Sequence, residues 1–325
     1  MYKIIILVPE HAVMQAIADP QYCFSAVNQF FIQSGRQPVF DIKLGGLKKE
    51  IVLNAGVYKV QTDLLISEAD HADLIFIPAF FGDLKTAIEA NKTLIPWIIK
   101  QYESGASVAS LCLGAFLLGA TGLLDGKKCS THWGFIQQFR EMYPDICIQD
   151  GSIVTEDGRL FSSGGAHSYW NLLLHLVEKY TDRGTAILTA KYFAIDIDRN
   201  SQSAFTIFNG QKAHQDEKVK SAQHYIEQNI SEKFGVDQLA ALASMGRRSF
   251  ERRFKLATGN TVLEYIHRVK IEAAKRNLES SHKNINEVMY EVGFSDNKTF
   301  RTIFKKVTGL SPISYKLKYQ KFSSY

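Results

Sequence analysis

The chain has 325 residues, of which 46% are hydrophobic and 22% charged, and a formal net charge of +5. This composition is that of a globular protein with room for two domains. It excludes a membrane-spanning chain, because no apolar run approaches the length of a span. The four cysteines have neither paired nor metal-type spacing, which argues against a disulfide-stapled secreted domain and a metal site. The apolar run at residues 4–8 is also too short for a signal peptide, so we expect a cytoplasmic protein.

The charge is distributed unevenly along the chain. From Asp216 to the C-terminus there are 20 Lys and Arg against 12 Asp and Glu, a net charge of +8, whereas the preceding residues carry −3. A basic C-terminal third on a slightly acidic body predicts a nucleic-acid-binding module attached to a sensor or an enzyme.

Apolar strands alternate with helices through the first 195 residues. Residues 3–8 form a continuous β-rich run, typical of a central parallel strand. A short hairpin is predicted at residues 51–53 and 57–60, and further strands at residues 38–43, 74–78, 107–111 and 146–148 and around the Asp157-Gly158 turn within residues 153–161. Helices are predicted at residues 23–33, 84–90, 93–103, 112–120, 167–180 and 184–194, with one more that ends at Met142. This alternation predicts an α/β fold, a parallel-sheet sandwich with helices on both faces.

One strand turns into a helix at Cys112, in a sequence with the small neighbours Gly114 and Ala115. A sharp turn of this kind is typical of a nucleophile elbow, which presents its central residue at the edge of the sheet. The helix N-terminus would lower the pKa of the thiol and offer free backbone N–H groups to a carboxylate. A cysteine that merely packs in the core fits the same spacing.

The apolar periodicity stops near residue 196, where Asn, Ser, Gln and Gly become frequent. We therefore predict a first domain at residues 1–195, a linker at 196–215 and a basic, all-α nucleic-acid-binding domain at 216–325.

The last domain contains one pattern written twice. Each copy is a short apolar helix, a turn and a second helix with Phe at positions i and i+4, which fall on one face. The copies correspond at an offset of 50 residues: Phe250 with Phe300, Phe254 with Phe304, and Thr258-Gly259 with Thr308-Gly309.

The opposite face of each second helix carries residue types that contact base edges and phosphates in a major groove. A helical hairpin with a solvated basic face is the alternative, but two copies in register favour DNA binding. The predicted DNA-binding residues are Arg247, Arg248, Glu251 and Arg252 in the first copy, and Asn297, Lys298, Thr299, Arg301 and Thr302 in the second.

This double pattern resembles the DNA-binding domain of AraC/XylS-type transcription regulators, whose ending it shares at residues 304–312. The resemblance implies two helix-turn-helix units joined by a long helix. The first copy departs from the family pattern, since Ser244 stands where the turn usually has Gly and Gly246 where the helix usually has a Ser N-cap.

Residues 108–133, 161–165 and 172–177 resemble the ThiJ/PfpI family of the class I glutamine-amidotransferase-like superfamily, and in particular the GlxA-type regulators that join this domain to an AraC-type one. The resemblance implies a transcription regulator that senses an amino-acid-like or quaternary-amine metabolite. It also implies a homodimer through the N-terminal domain, with double-stranded DNA and RNA polymerase as partners.

Enzymes of that superfamily need a base beside the thiol. Leu113 stands where the related proteases have His, and the family often places a carboxylate that pairs with the thiol at the position of Glu10. We predict an effector pocket without a catalytic residue, cofactor or metal, formed by Glu10, Cys112, Leu113, His132 and His167. The alternatives are a thiol-dependent hydrolase or lyase and a redox sensor that uses an oxidisable Cys112 thiol.

Overall fold

The computed structural model describes residues 1–197, 201–212 and 214–320. It divides into two compact units, Met1–Gln202 and Ser203–Tyr325. Residues 198–200 and 213 of the predicted linker, and residues 321–325 of the predicted DNA-binding domain, lie outside the described part of the chain. The predicted limits at residues 195 and 215 stay predictions.

Residues 2–163 of the first unit supply its strands. They are β1 (Tyr2–Leu7), β2 (Phe40–Gly46), β3 (Glu50–Leu53), β4 (Tyr58–Gln61), β5 (Leu64–Leu65), β6 (Leu74–Ile77), β7 (Ser107–Ser110), β8 (Lys128–Cys129), β9 (Cys147–Ile148), β10 (Val154–Asp157) and β11 (Leu160–Ser163). Seven form one sheet in the order β10-β11-β7-β6-β1-β2-β5, which is parallel except where β10 pairs with β11. The predicted β3–β4 hairpin is confirmed.

Helices cover both faces of this sheet. They are α1 (Gln15–Gln33), α2 (Leu84–Ala90), α3 (Leu94–Glu103), α4 (Ala115–Gly119), α5 (Ile136–Met142), α6 (Tyr169–Tyr180) and α7 (Arg183–Tyr192). Successive side chains of a strand point to opposite faces. Ile4 and Ile6 of β1 therefore pack in the core beneath α1, α6 and α7, whereas Ile5 and Leu7 pack in the core beneath α2–α5. The α/β sandwich is confirmed.

Helix α1 is longer than predicted, because it begins at Gln15 and continues through Pro20. A proline inside a helix removes one backbone hydrogen bond. Ala16, Ile17 and Pro20 are all buried, so the apolar face of the helix extends across the proline. Their burial compensates for the missing bond.

The second unit is helical. Its helices are α8 (Glu217–Gln228), α9 (Val236–Leu242), α10 (Arg247–Thr258), α11 (Val262–Ser280), α12 (Ile285–Glu291), α13 (Asn297–Thr308) and α14 (Pro312–Tyr319). One apolar core joins α8–α10 to the first half of α11, and another joins α12–α14 to the second half. The two helix-turn-helix units are thus α9–α10 and α12–α13, with α11 as the predicted long connection. No helix in the described residues is long and apolar enough to cross a membrane.

The turns of the two units differ in strain. Gly293, in the second turn, has φ of 74°, and Ser244 at the corresponding position of the first turn has φ of 51°. Positive φ is accessible to glycine without steric cost but strains a residue with a Cβ atom. The departure from the family pattern at Ser244 therefore keeps the turn geometry at the expense of some strain.

Candidate nucleic-acid interface and elbow site

Helices α10 and α13 are anchored in the same way. The phenylalanines predicted to face the core are completely buried in both helices. The hydroxyl groups of Thr258 and Thr308 each donate to the carbonyl four residues earlier, at 2.8 Å, and Gly259 and Gly309 end the helices in the left-handed conformation. The helices are therefore held by one face, and the other face is available to a partner.

The available faces carry cations that the protein itself does not neutralise. Arg248 and Arg252 on α10 and Arg301 on α13 are exposed. Within the described part of the chain, no hydrogen bond or ion pair engages these three side chains. An exposed, unpaired guanidinium is well suited to a phosphate or to the edge of a guanine.

Other predicted DNA-binding residues have partners inside the unit. Arg247 forms ion pairs with Asp237, at 2.9 Å, and with Glu251, at 3.3 Å. The Asn297 amide donates to Asn286 Oδ1 at 2.6 Å. These contacts lie at the surface, where ion pairs contribute little stability and exchange readily. Direct DNA contacts by these residues would require such an exchange.

The N-terminus of α13 is well defined. Asp296 caps it by accepting a hydrogen bond from the Thr299 backbone N–H at 2.6 Å. Hydrogen bonds from Thr299 lower the pKa of the Asp296 carboxyl. Lys298, Thr299 and Thr302 are exposed on the first turns that follow.

The elbow in the first unit has the geometry that the sequence predicts. Cys112 follows β7 with φ of 53° in a short 3-10 turn that leads into α4. A Cβ atom on Gly114 would lie 2.4 Å from the Ile77 carbonyl oxygen and 2.7 Å from that of Pro78. Only glycine fits there, so the close approach of the elbow to the end of β6 requires this residue.

Cys112 is buried at this elbow, with 4% of its surface exposed. Its backbone N–H donates to Ser163 Oγ at 3.2 Å, and its carbonyl accepts from Thr131 Oγ1 at 3.1 Å. Burial raises the pKa of the thiol to about 12, and the hydrogen bond with the Leu113 backbone only partly opposes this. The expected lowering of the thiol pKa is therefore wrong, and the N–H of Cys112 itself is not free for a carboxylate. Desolvation outweighs the short helix, and a serine already occupies the amide.

Glu10 faces another partner. Its carboxylate forms an ion pair with Lys48 at 2.7 Å, and Asn91 holds its backbone by accepting from the N–H and donating to the carbonyl. Among the described residues no hydrogen bond joins this carboxylate to the Cys112 sulfur. The family-implied pairing of Glu10 with the thiol is thus not present, because Lys48 attracts the charged group instead.

The two predicted histidines differ in their surroundings. His132 is half-buried, stacks on Trp133 and accepts a hydrogen bond from the Gly134 N–H, and burial lowers its pKa. Its neighbour Thr131 is the residue that contacts Cys112. His167 is exposed in the loop before α6. Cys112, Leu113 and His132 therefore belong to adjacent backbone segments, whereas in the described residues no hydrogen bond or ion pair joins Glu10 or His167 to the thiol.

A polar cluster that the sequence did not predict lies beside Cys112. Asp19 Oδ2 accepts hydrogen bonds from the Tyr169 hydroxyl, at 2.6 Å, and from the Trp170 indole N–H, at 3.0 Å. Burial and the Asp19 carboxylate raise the pKa of Tyr169, and the nearby Cys112 adds to that effect. The Trp170 ring packs against Phe193, with 4.6 Å between centroids. Only the extension of α1 across Pro20 would have indicated that Asp19 faces this core.

Comparisons with known proteins give the two units separate relatives. The sequence matches the DJ-1/PfpI family over residues 33–179 and a helix-turn-helix domain over residues 239–318. The HTH-type transcriptional regulators GbdR and CdhR of Pseudomonas aeruginosa are 24% and 22% identical over 75% and 80% of this chain. The aligned parts span 66% and 77% of those regulators' own lengths.

A solved AraC family transcriptional regulator from Pseudomonas putida aligns with a TM-score of 0.51 and 20% identity, over 59% of this chain and 100% of that chain. This likeness shows the fold alone. The family matches indicate a DJ-1/PfpI domain followed by a helix-turn-helix domain. The chain therefore combines a DJ-1/PfpI domain with a helix-turn-helix domain, and it is similar to HTH-type transcriptional regulators.

Proposed function

We propose that this regulator binds DNA in a sequence-specific way through α10 and α13, and that a small metabolite in its first unit changes that binding. The observation that carries the proposal is the pair of identically anchored helices with unpaired arginines on their outer faces. The net charge of +8 from Asp216 onward supports contact with phosphates.

In this proposal the two recognition helices enter successive major grooves, roughly 34 Å or one helical turn apart. Arg248, Glu251 and Arg252 contact bases or phosphates in one groove. Arg301 contacts phosphate in the other, where Asn297, Lys298, Thr299 and Thr302 lie at the base edges.

We place the effector near the elbow, with Cys112, Leu113 and His132 at its centre. The Asp19 carboxylate and the rings of Tyr169 and Trp170 supply a negative charge and aromatic faces, a combination that suits an amino-acid-like or quaternary ammonium compound. Glu10 and His167 belong to this proposal only if their loops rearrange on binding.

The proposal assigns no turnover to the elbow. A cysteine nucleophile reacts as the thiolate, and a pKa of about 12 keeps the Cys112 thiol protonated at neutral pH. Leu113 has no proton acceptor, and the Glu10 carboxylate is engaged by Lys48. The same reasoning disfavours a redox sensor based on Cys112. A cytoplasmic location and contact with RNA polymerase complete the proposal.

The reactivity of the cysteines tests the unreactive elbow. We expect iodoacetamide to modify Cys112 of the native protein at pH 7 at least about tenfold more slowly than the exposed Cys147, because the buried thiol is not ionised. Peptide mass mapping over time gives both rates in one sample, with the unfolded protein as the control. Equal rates would restore the enzyme and redox alternatives.

Replacement of Arg252 tests the assignment of α10. Arg252→Ala should weaken binding to duplexes selected by the wild-type protein by about 1–3 kcal/mol and relax the preference at one base pair. Arg276→Ala, which removes an equal charge from the exposed surface of α11, is the control. Fluorescence anisotropy on cognate and scrambled DNA measures both. An Arg252→Ala protein that behaves like the wild type on both duplexes contradicts the assignment.

A thermal-shift screen with amino acids and quaternary ammonium salts tests the effector site. A compound at 100 times its dissociation constant should stabilise the first unit by roughly 2.7 kcal/mol. Cys112→Ala should keep the fold and basal DNA binding but reduce the shift. Cys147→Ala, at an exposed position, serves as the control. An unchanged shift in Cys112→Ala would remove the effector from the elbow.

The family-implied homodimer has a direct test. We expect sedimentation velocity at micromolar concentration to give the mass of a dimer, because two linked DNA-binding modules gain affinity through effective concentration. The isolated residues 203–325 should sediment as a monomer if the dimer forms through the first unit. A full-length protein that remains monomeric would contradict this part of the proposal.

A further inference from the structure

The two helix-turn-helix units have separate cores, so their relative position depends on a small number of contacts around α11. The Ile230 side chain packs against both cores. The loop that contains it, between α8 and α9, also approaches the turn between α12 and α13. This crossing point involves Ser231, Glu232 and Lys233 on one side and Gly293 and Ser295 on the other.

Lys270, on α11, lies at the centre of this crossing with only 6% of its surface exposed. Its ammonium donates to the Glu232 carbonyl at 2.8 Å and to the Gly293 carbonyl at 3.4 Å. The centroids of the Phe234 ring, in the loop before α9, and of the Phe294 ring, in the turn between α12 and α13, each lie 5.8 Å from the ammonium. A buried ammonium is costly unless polar groups satisfy it. Here those groups come from the loop that leads from α8 into the first helix-turn-helix unit and from the turn of the second unit.

Two further contacts lie at the same crossing. A Cβ atom on Gly293 would lie 2.5 Å from the Ser231 carbonyl oxygen and 2.6 Å from Lys270 Nζ, so the two backbones meet closely. The Lys233 ammonium donates to Ser295 Oγ at 2.8 Å. Asp296, the residue after Ser295, is the N-cap of α13. A displacement of this turn would therefore move the recognition helix itself.

We propose that Lys270 is a positioning residue that sets the placement of α13 relative to α10 and thereby selects the spacing between the two half-sites on DNA. This inference rests on the proposed DNA-binding function. Helix α11 is continuous and fixes the distance between the two helix-turn-helix units along its axis. The tilt of α12–α13 against α11 depends on lateral contacts. With the ammonium in place, binding of the first recognition helix already orients the second one toward its own groove. Without it, the second binding event loses effective concentration.

The test uses the full-length protein and duplexes that the wild type selects from a random library. Each selected duplex is compared with one that retains a single half-site and with one whose spacer is longer by half a helical turn, about five base pairs. Lys270→Met keeps the apolar stem and removes the ammonium. Lys275→Met is the matched control, because Lys275 is buried on the same helix but holds the Thr206 carbonyl and the Glu272 carboxylate instead.

We expect Lys270→Met to bind the single half-site within about twofold of the wild type, but to bind the complete duplex about ten- to a hundredfold more weakly. Its preference for the cognate spacer should fall by a similar factor. Lys275→Met should retain that preference even if its melting temperature falls. A merely structural lysine would lower all affinities together, so an unchanged spacer preference in Lys270→Met would overturn the inference.

A second variant decides the matter if Lys270→Met does not fold. Ser295→Ala removes only the exposed hydrogen bond from Lys233 and should reduce the spacer preference by about threefold, the size of one such bond. No reduction in this variant would then overturn the inference. A wild-type protein that selects no DNA, or that ignores one of the half-sites, would instead contradict the proposed function and not the role of Lys270.

Discussion

The edge-to-face contact between the second phenylalanine of each recognition helix and the next tyrosine determines which face of that helix can meet DNA. The ring centroids are 5.3 Å apart for Phe254 and Tyr265 and 5.4 Å apart for Phe304 and Tyr315. Each tyrosine hydroxyl donates a hydrogen bond to a carboxylate, and the Tyr265 hydroxyl lies 2.8 Å from its acceptor on Glu227. Burial raises the pKa of both phenols. A ring anchored at its polar end cannot turn away from the core. The phenylalanines therefore stay inward, and the arginines on the opposite face stay in solvent.

The sequence could predict this part of the fold because its determinants are local. Phenylalanines at i and i+4 specify one helix face, and the Thr-Gly ending specifies where the helix stops, as in the hydroxyl and left-handed glycine at Thr258-Gly259. The start of α1 was missed for a related reason. The prediction began at residue 23, whereas the burial of Ala16 and Ile17, which extends the helix to Gln15, is a tertiary effect.

At the elbow, local sequence rules predict the backbone turn but not the environment of the cysteine thiol. The sequence predicts the need for Gly114, because a tight turn requires a small residue. The state of Cys112 is not, since Ser163 and Thr131, which bind its backbone, lie 51 and 19 residues away. Desolvation by such distant neighbours reverses the direction of the pKa shift that the helix N-terminus alone implies. Tertiary packing also determines which carboxylate enters this core. Asp19 accepts hydrogen bonds from Tyr169 and Trp170, whereas Glu10 pairs with Lys48.

The role of each charged side chain in the DNA-binding domain also depends on tertiary packing. Composition counts every lysine and arginine as attraction toward DNA, yet Lys270 and Lys275 point into the protein, and Arg253 is paired with Asp216 at 2.8 Å. Affinity for DNA and its salt dependence follow the number of phosphates that are contacted, not the net charge. The cations therefore divide into exposed side chains, such as the arginines on the outer faces of α10 and α13, and side chains that are buried or paired within the domain. On the proposed role of Lys270, a buried lysine affects recognition without touching DNA, because it would determine whether the arginines of the two helices reach their grooves at the same time.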